Sequence, residues 1–199
     1  MKNQLKRKIK NQDQSFHTPI VRGYTSSLLE LSYAKSIFLS SPIDDQVAAD
    51  FCALLMYYDH MDDKENPIDV YCNTPGGSLS GLNMMLNFMG LIETPIRTIC
   101  MGRCYSAGSV ILAAGDERLI FANAEVLLHQ IQLSFPTIGE DASDTENYFN
   151  FTQTLNTSLL KMLSKYTGQP LSKIRADTER DLFLTAPDAL EYGLVDFII

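Results

Sequence analysis

A serine between a β-rich run and an apolar helical run is the first residue of this sequence that could act as a nucleophile. It is Ser106, in the stretch MGRCYSAGSVIL at residues 101–112. A sharp turn from a strand into a helix exposes such a side chain and points the first free helical N–H groups towards it, among them that of Ala107. The pattern G-x-S-x-G is matched only at Gly108, because position 104 is cysteine. The local pattern alone therefore favours a structural serine in a turn over a nucleophile.

Two adjacent glycines mark a second stretch that could do chemistry, TPGGS at residues 74–78. The stretch follows a strand-like run and precedes a helical one, and paired glycines can turn backbone N–H groups outward to hold an anion. An oxyanion or a phosphate could bind there, but the stretch lacks the lysine of a P-loop and the spacing of G-x-G-x-x-G. A tight structural turn is an equal alternative. Ser78 is a rival nucleophile, although it lacks the strand-to-helix elbow of Ser106.

A serine nucleophile needs a general base, and the sequence offers three histidines. His17 lies in a polar N-terminal stretch, and His60 ends a helical run beside several aspartates. His129 ends the apolar run EVLLH, where the tip of a strand can present a side chain at the edge of a sheet. A lone histidine in this setting is more often a core residue, but the other two are worse placed. His129 is therefore the candidate base.

An acidic run at residues 177–181, DTERD, could supply the carboxylate that orients this base. Such runs usually form a solvated face, but Asp181 adjoins the apolar segment LFL and is the one carboxylate of the run expected to be partly buried. A buried carboxylate fixes the tautomer of the imidazole and stabilises the imidazolium. The candidate triad is thus Ser106, His129 and Asp181. Its order along the chain decides nothing, because a triad is defined by geometry.

Alternating strand and helix patterns must hold these residues in place. Strands are predicted at 36–40, 68–74, 96–102, 118–122 and 125–129, and helices at 44–61, 82–92, 106–115 and 144–168. The third of these helices is expected to end at Gly115. The closing segment TAPDALEYGLVDFII predicts a short helix from Thr185 to Gly193 and then a strand. The alternation predicts a single α/β domain with a largely parallel sheet.

Length and composition are consistent with one globular domain, since the chain has 199 residues of which 45% are apolar and 20% charged. The formal net charge of −8 argues against a nucleic-acid partner. Neither an apolar run of the ~18 residues that a membrane span needs nor an apolar leader segment is visible, so no membrane partner is expected. Spacing typical of zinc ligands is missing, which predicts no metal and buried free thiols in the cytoplasm. These thiols are Cys52, Cys72, Cys100 and Cys104.

Basic residues crowd the first ten positions, where they are Lys2, Lys6, Arg7, Lys8 and Lys10. Residues 1–20 are otherwise polar and irregular, which predicts a flexible, solvated N-terminal arm. An arm that binds an anionic surface or directs targeting is the alternative.

Taken together, several segments resemble the ClpP family of serine peptidases. They are SIFLSSPIDDQVA, VYCNTPGGSLSG, TICMGRCYSAGSVILAAG, LLHQ and YTGQPLSKIRADTERDLFLTAPDALEYGLVD, and the resemblance covers about residues 36–197. It implies a ClpP/crotonase-type α/β fold with stacked, largely parallel β-sheet repeats. Residues 21–199 would form one peptidase domain, with a protruding handle helix at about 144–166.

The resemblance also implies the roles of individual residues. Ser106 matches the nucleophile, His129 the general base and Asp181 the orienting acid of the family. Gly77 and Ala107 match the two residues whose backbone N–H groups form the oxyanion hole.

An assembly and its partners are implied in the same way. Family members stack two seven-membered rings around a closed chamber, and a Clp-type AAA+ ATPase feeds unfolded proteins into it. This chain would then need no cofactor of its own, because the ATPase uses the ATP. The handle helix would join the two rings, and Glu179 and Arg180 match a ring–ring contact.

Departures from the family pattern leave other functions open. Cys104 and Tyr105 stand before the serine, where the family has small residues, and Ala107 replaces a methionine after it. The segment QIQLSFPTIGEDAS after His129 lacks the glycine pair of the family. One alternative is a weakly active, structural ring subunit that co-assembles with a second ClpP-like chain. Another is a crotonase-type acyl-CoA enzyme, against which the candidate triad counts, because such an enzyme needs no serine nucleophile.

Overall fold

A computed structural model of the chain describes residues 35–61, 64–132 and 142–199. The basic arm predicted at residues 1–20 lies outside the described residues, as does His17. Most of the segment that follows His129 also lies outside them, from residue 133 to 141. The predicted peptidase domain is thus described from Lys35 onward.

One mixed sheet organises the described residues, and it is largely parallel as predicted. The strands β1, β2, β3, β4 and β7 follow one another across it, all parallel to their neighbours. Strand β5 pairs in parallel with the far end of β3, and β6 pairs antiparallel with β5. Their bounds are β1 Ser36–Leu39, β2 Ile68–Thr74, β3 Ile96–Tyr105, β4 Glu117–Ile120, β5 Glu125–Leu128, β6 Leu182–Thr185 and β7 Phe197–Ile198.

Helices connect these strands, as expected for parallel neighbours that need a crossover. Their bounds are α1 Asp45–Asp59, α2 Leu79–Met89, α3 Ala107–Ala113, α4 Ala142–Thr167, α5 Leu171–Asp177 and α6 Ala186–Tyr192. Helix α4 confirms the long helix predicted at 144–168. Helix α5 and strand β6 were not predicted, because four to seven residues are too few to show a period.

Alternation along the strands separates a buried face from a half-exposed one. In β2 the side chains of Ile68, Val70, Cys72 and Thr74 are buried, and the intervening ones are not. The buried faces of the strands join the helices in one apolar core. A period of two places every second side chain of a strand on one face of a sheet, so the pattern fixes which residues can meet across strands.

Glycines and caps end the helices largely as predicted. Thr185 caps α6 in a reciprocal capping box with Asp188, and Gly193 ends that helix with a φ of +86°. Helix α3 is different, because it ends at Ala113 with Ala114 as its cap and not at Gly115. Gly115 serves close packing instead, since a Cβ there would lie 2.5 Å from Thr98 Oγ1.

A carboxylate at the end of α1 ties that helix to the loop before β3. Asp59 Oδ1 accepts hydrogen bonds from the backbone N–H and the hydroxyl of Thr94, at 2.9 and 2.7 Å. Lys64 Nζ adds an ion pair at 2.6 Å. Burial alone would raise the pKa of this carboxyl, but the hydrogen bonds from Lys64 and Thr94 outweigh it and hold the pKa well below its usual range.

We expect Asp59→Asn to lower the free energy of unfolding at pH 7 by about 2 kcal/mol, because hydrogen bonds to a charged acceptor are stronger than those to an amide. A depressed folded-state pKa stabilises the fold above the unfolded pKa of about 3.9 and loses this effect as the pH falls through the folded pKa. Urea unfolding at fixed protein concentration should therefore show the difference narrowing below about pH 4. Glu65→Gln, at an exposed carboxylate of the same turn, is the matched control and should change little. A gap that stays constant down to the lowest pH would contradict the role of the charge.

Candidate active site

Ser106 lies between β3 and α3 in a strained backbone conformation. Its φ of 54° and ψ of −122° lie in a region that residues other than glycine rarely adopt. The Ser106 N–H donates to Leu127 O of β5 at 2.9 Å, and its carbonyl accepts from both the N–H and the hydroxyl of Ser109. Strain of this kind persists only where neighbours impose it, and it concentrates at functional sites. The serine therefore sits on a sharp elbow, as the sequence predicted from its neighbours.

The loop of two glycines packs directly against this elbow. A Cβ on Gly76 would lie 2.5 Å from Tyr105 O and 2.8 Å from Ser106 Cβ. Gly76 also has a φ of +87°, which other residues adopt at a cost. A hydrogen bond from its N–H to Thr74 Oγ1, 3.1 Å long, holds the turn. Glycine at position 76 is thus required both by conformation and by the closeness of the serine.

Two backbone N–H groups at this site have no hydrogen-bond partner among the described residues, those of Gly77 and Ala107. Gly77 forms a parallel bridge with Ile43 that uses the Gly76 carbonyl and the Ser78 N–H. Backbone groups of consecutive residues in such a bridge point to opposite sides, which leaves the Gly77 N–H on the side away from Ile43. Ala107 is the first residue of α3, where no intrahelical acceptor exists.

A single pocket brings these groups together with His129. Gly77, Ser106, Ala107 and His129 all line a cavity of about 520 Å³. Most of its remaining walls are aliphatic side chains, with Leu159 and Leu163 contributed by α4. The cavity is thus lined by a serine, a histidine and the two residues with free N–H groups, together with an apolar wall. Such a combination is typical of a site that binds a side chain and acts on the adjacent bond.

Strand register explains why His129 lines the same pocket as Ser106. Strand β5 pairs with the last residues of β3, with Leu127 opposite Tyr105. Beyond this ladder, β3 is followed by Ser106, and β5 continues through Leu128 to His129. His129 is half-buried there, and its Nδ1 lies 2.5 Å from Gln130 O. Because a carbonyl oxygen only accepts, Nδ1 is the donor, which leaves Nε2 of the neutral ring free to accept a proton.

Asp181 is exposed and does not line the pocket, contrary to the partial burial expected from its sequence. The antiparallel ladder of β5 and β6 ends at the pair Leu128 and Leu182, so that His129 and Asp181 each lie one residue beyond it. No hydrogen bond joins these two side chains, both of which belong to the described residues. The expectation failed because the segment LFL is itself only partly buried: Leu184 is buried, Leu182 is half-buried and Phe183 is exposed, and Asp181 lies before the first residue of that strand.

Hydrogen bonds from Gln130 still connect the segment after His129 to the turn before Asp181. The Gln130 N–H donates to Thr178 O at 3.0 Å, and the Gln130 amide reaches Glu179 O at 3.4 Å. Thr178 is buried, and its hydroxyl donates to Ile174 O in α5. The turn that carries Asp181 is therefore anchored beside His129 although the carboxylate itself is free of it. Glu179 and Arg180, in the same turn, are exposed.

A different carboxylate of the acidic run is half-buried, that of Asp177. It accepts hydrogen bonds from Lys173 Nζ at 2.5 Å and from the Tyr192 hydroxyl at 2.7 Å. Burial would raise the pKa of this carboxyl, but the bonds from Lys173 and Tyr192 lower it below its usual value. Asp177 thus fastens α5 to α6, and Asp181 is the aspartate of the run that remains available to His129.

Cys104 lies two residues before the serine but is an unsuitable nucleophile. It is fully buried, and burial raises the pKa of its thiol well above the ordinary value. The thiols of Cys100 and Cys72 beside it raise that pKa further. A thiol reacts as its thiolate, so Cys104 is inert here and Ser106 is the nucleophile candidate.

Sequence reasoning missed the side-chain contacts of Tyr105. Its ring meets that of Phe183 edge-to-face, with centroids 6.0 Å apart and an interplanar angle of 87°. Its hydroxyl donates to the Glu125 carboxylate. The register of β6 against β5 creates these contacts. A strand of four residues is too short to be predicted from local sequence, so the contacts could not be predicted either.

Two absences apply to the part of the chain that the structure describes. Within residues 35–61, 64–132 and 142–199, no group of three or more histidine, cysteine, aspartate or glutamate side chains could hold a metal ion. Over the same ranges, no helix is long and apolar enough to cross a membrane.

The mostly parallel sheet, the serine elbow and the glycine loop define an α/β protein of the ClpP/crotonase-type fold. Residues 23–199 match the family model of the Clp protease. The chain is 42% identical over 166 residues to the ATP-dependent Clp protease proteolytic subunit 2 of Streptomyces coelicolor, covering 82% of this chain and 74% of that protein. It is also 42% identical to the proteolytic subunit 4 of Streptomyces avermitilis, covering 82% of this chain and 72% of that protein. The chain belongs to the Clp protease family and is a peptidase subunit of the ClpP type.

Close packing at the elbow makes a prediction about stability. We expect Gly76→Ala to lower the free energy of unfolding by about 3 kcal/mol or more, since the new Cβ adds overpacking to a positive φ. Gly168→Ala is the matched control, because Gly168 has a φ of +72° but no heavy atom within 4 Å of the place that a Cβ would occupy. That variant should cost only about 1 kcal/mol. Urea unfolding of both variants measures the difference, and equal losses would show that the contact with the elbow is unimportant.

Proposed function

We propose that this chain is a serine endopeptidase that uses Ser106, His129 and Asp181 and acts inside a ring-shaped chamber. The observation that carries the proposal is the shared pocket, which Ser106, His129, Gly77 and Ala107 all line. Membership of the Clp protease family supports it.

In the proposed reaction, His129 Nε2 removes the proton of the Ser106 hydroxyl while Oγ attacks the carbonyl carbon of the peptide bond. The N–H groups of Gly77 and Ala107 would donate to the oxyanion, an effect worth about 3–4 kcal/mol per donor in one protease. His129 then gives the proton to the leaving amine, and water hydrolyses the acyl-enzyme by the same route. No cofactor takes part in these steps.

Asp181 would stabilise the imidazolium by accepting from Nδ1. In the single chain that proton is donated to Gln130 O instead. The productive arrangement therefore needs Nδ1 to exchange the Gln130 carbonyl for the Asp181 carboxylate, which lies between the turn and the first residue of β6. We propose that ring assembly supplies this alignment, with α4 as the handle helix and Glu179 and Arg180 in the ring–ring contact.

The same proposal covers substrates, partners and location. The aliphatic wall of the pocket favours an apolar side chain next to the cleaved bond, and enclosure in a chamber would replace strict sequence recognition. Unfolded proteins would be delivered by a Clp-type AAA+ ATPase, which uses the ATP, and the chamber would be two stacked seven-membered rings of this chain. A cytoplasmic location is supported by four cysteines that are all unpaired and buried.

An active-site serine probe tests the nucleophile. We expect a fluorophosphonate to label the assembled wild-type particle at Ser106 and to leave Ser106→Ala unlabelled, because the reaction needs an activated hydroxyl. Ser78→Ala is the matched control, since Ser78 is a serine of the same pocket whose hydroxyl caps α2. It should keep its labelling. Labelling that persists in Ser106→Ala and disappears in Ser78→Ala would reverse the assignment. Peptide mapping by mass spectrometry identifies the modified residue.

A second prediction separates the two aspartates. Asp181→Asn should lower kcat for a fluorogenic peptide by at least about a hundredfold, because the imidazolium loses its carboxylate, as loss of the triad acid does elsewhere. Asp177→Asn should lower the thermal midpoint instead and leave kcat within about threefold of wild type, because that carboxylate binds Lys173 and Tyr192. Steady-state kinetics and thermal unfolding of both variants provide the comparison. The opposite pattern would make Asp177 the acid.

A weakly active ring subunit that co-assembles with a second ClpP-like chain is the second candidate. The observation that favours it is the unaligned acid, since Asp181 is exposed and His129 Nδ1 is bound to Gln130 O. The labelling experiment distinguishes the two functions when it is done first on the purified chain alone and then with any ClpP-like paralogue. Rapid labelling of Ser106 in the chain alone excludes the second candidate, and labelling that requires the paralogue supports it.

A further inference from the structure

The aromatic residue directly before the serine contacts both of the other strands from which the proposed triad extends. Tyr105 ends β3, and the backbone reverses into the elbow at the next residue. Its hydroxyl donates to Glu125, at the start of β5, and its ring packs edge-to-face on Phe183 in β6. His129 follows the last residue of β5, and Asp181 precedes the first residue of β6. One side chain therefore touches all the strands that lead to the three residues.

The strand register places Tyr105, Leu127 and Phe183 side by side on three neighbouring strands. Tyr105 lies opposite Leu127 in the parallel ladder, and Leu127 lies opposite Phe183 in the antiparallel one. The three side chains share one face of the sheet, because cross-strand partners always do. The aromatic pair therefore spans β5, and Phe183 lies two residues from Asp181. Edge-to-face rings at about 6 Å attract each other and hold a defined orientation.

The phenol is fixed at its other end as well. Hydrogen bonding to Glu125 is the largest cause that raises the pKa of the Tyr105 hydroxyl, so the phenol stays protonated and remains a donor. The Arg103 guanidinium lies 5.6 Å from the centre of the ring. A small residue at position 105 would make none of these contacts.

We propose that Tyr105 is a positioning residue, which sets the distance between the Ser106 elbow and the Asp181 turn through its contact with Phe183. The role rests on the proposed peptidase function. Tyr105 does not line the pocket of Ser106 and His129. It acts through the strand ends, and a misplacement of about 1 Å at a catalytic group can cost as much as a hundredfold in rate.

Kinetics of the assembled particle test this role. Phe183→Ala should lower kcat for a fluorogenic peptide about tenfold with KM changed less than about twofold, because alignment changes while the binding pocket does not. Tyr105→Ala should do the same, and Tyr105→Phe should retain at least about half of the wild-type kcat, since it keeps the ring. In the double variant the loss should stay about tenfold and not multiply to about a hundredfold, because both changes break one contact. Phe183 is 59% exposed, so Phe183→Ala is expected to fold even if Tyr105→Ala does not.

Tyr71→Ala is the matched control. Tyr71 forms a ring pair with Phe38, with centroids 4.9 Å apart, between β1 and β2 and away from β5 and β6. It should leave kcat within about twofold of wild type. Particle size by analytical ultracentrifugation is measured for each variant, so that losses are compared between assemblies of equal size.

Each outcome has one meaning. Wild-type particles whose Ser106 does not react with the fluorophosphonate would overturn the proposed function and the positioning role together. Reactive wild-type particles with an unchanged kcat in Phe183→Ala would overturn the positioning role alone. Losses that multiply in the double variant, or a rise in KM in place of a fall in kcat, would overturn it as well.

Discussion

The backbone of Ser106 adopts φ 54° and ψ −122°, which a residue with a Cβ takes up only under constraint. Strain of this size costs on the order of 1–3 kcal/mol and must be offset by the surroundings. The Ser106 N–H donates to Leu127 O, and its carbonyl accepts from the N–H and the hydroxyl of Ser109. Gly76 packs so closely against Ser106 Cβ that a side chain would not fit there. The elbow thus depends on β5, on α3 and on the glycine loop at the same time. Since each of these also carries a group of the proposed site, the strain and the site have the same supports.

An irregularity in β3 makes this convergence possible. Cys100 lies opposite Cys72 and Cys104 lies opposite Thr74, so that two steps along β2 match four along β3. The side chain of Asn73 fills the gap and accepts from the Arg103 N–H at 3.2 Å. Bulges bend a strand and redirect it. Before the bulge β3 pairs with β4, and after it β3 pairs with β5, which brings His129 to the serine.

Most helices and strands, and the candidate site residues, could be predicted from local sequence, but the pairing of distant strands could not. The strands β1, β2 and β5 and the helices α1 and α4 follow from alternation, helical spacing and caps, which are properties of neighbouring residues. The exposure of Asp181 could not be predicted, because it depends on where the β5–β6 ladder ends. The contact of Tyr105 with Phe183 could not be predicted either, since 78 residues of chain separate the two strand positions and only the fold closes that distance. The sequence around Gly115 is typical of a helix end, but glycine is required there by the close approach of Thr98, which lies in β3.

Helix α4 contacts both the wall of the pocket and the segment that follows His129. Its buried residues Leu159 and Leu163 form a wall of the pocket that holds Ser106 and His129. About one turn earlier in the same helix, Asn156 Oδ1 accepts at 3.1 Å from the N–H of Ile131, which lies two residues after His129. A shift of α4 would therefore move the segment whose Gln130 carbonyl binds the Nδ1 proton of His129. If α4 is the helix through which the rings meet, the acceptor of that proton and the state of the assembly are linked through one element. Assembly of the rings would then be needed to align the site, because in the single chain His129 Nδ1 donates its proton to the backbone carbonyl of Gln130 and not to Asp181.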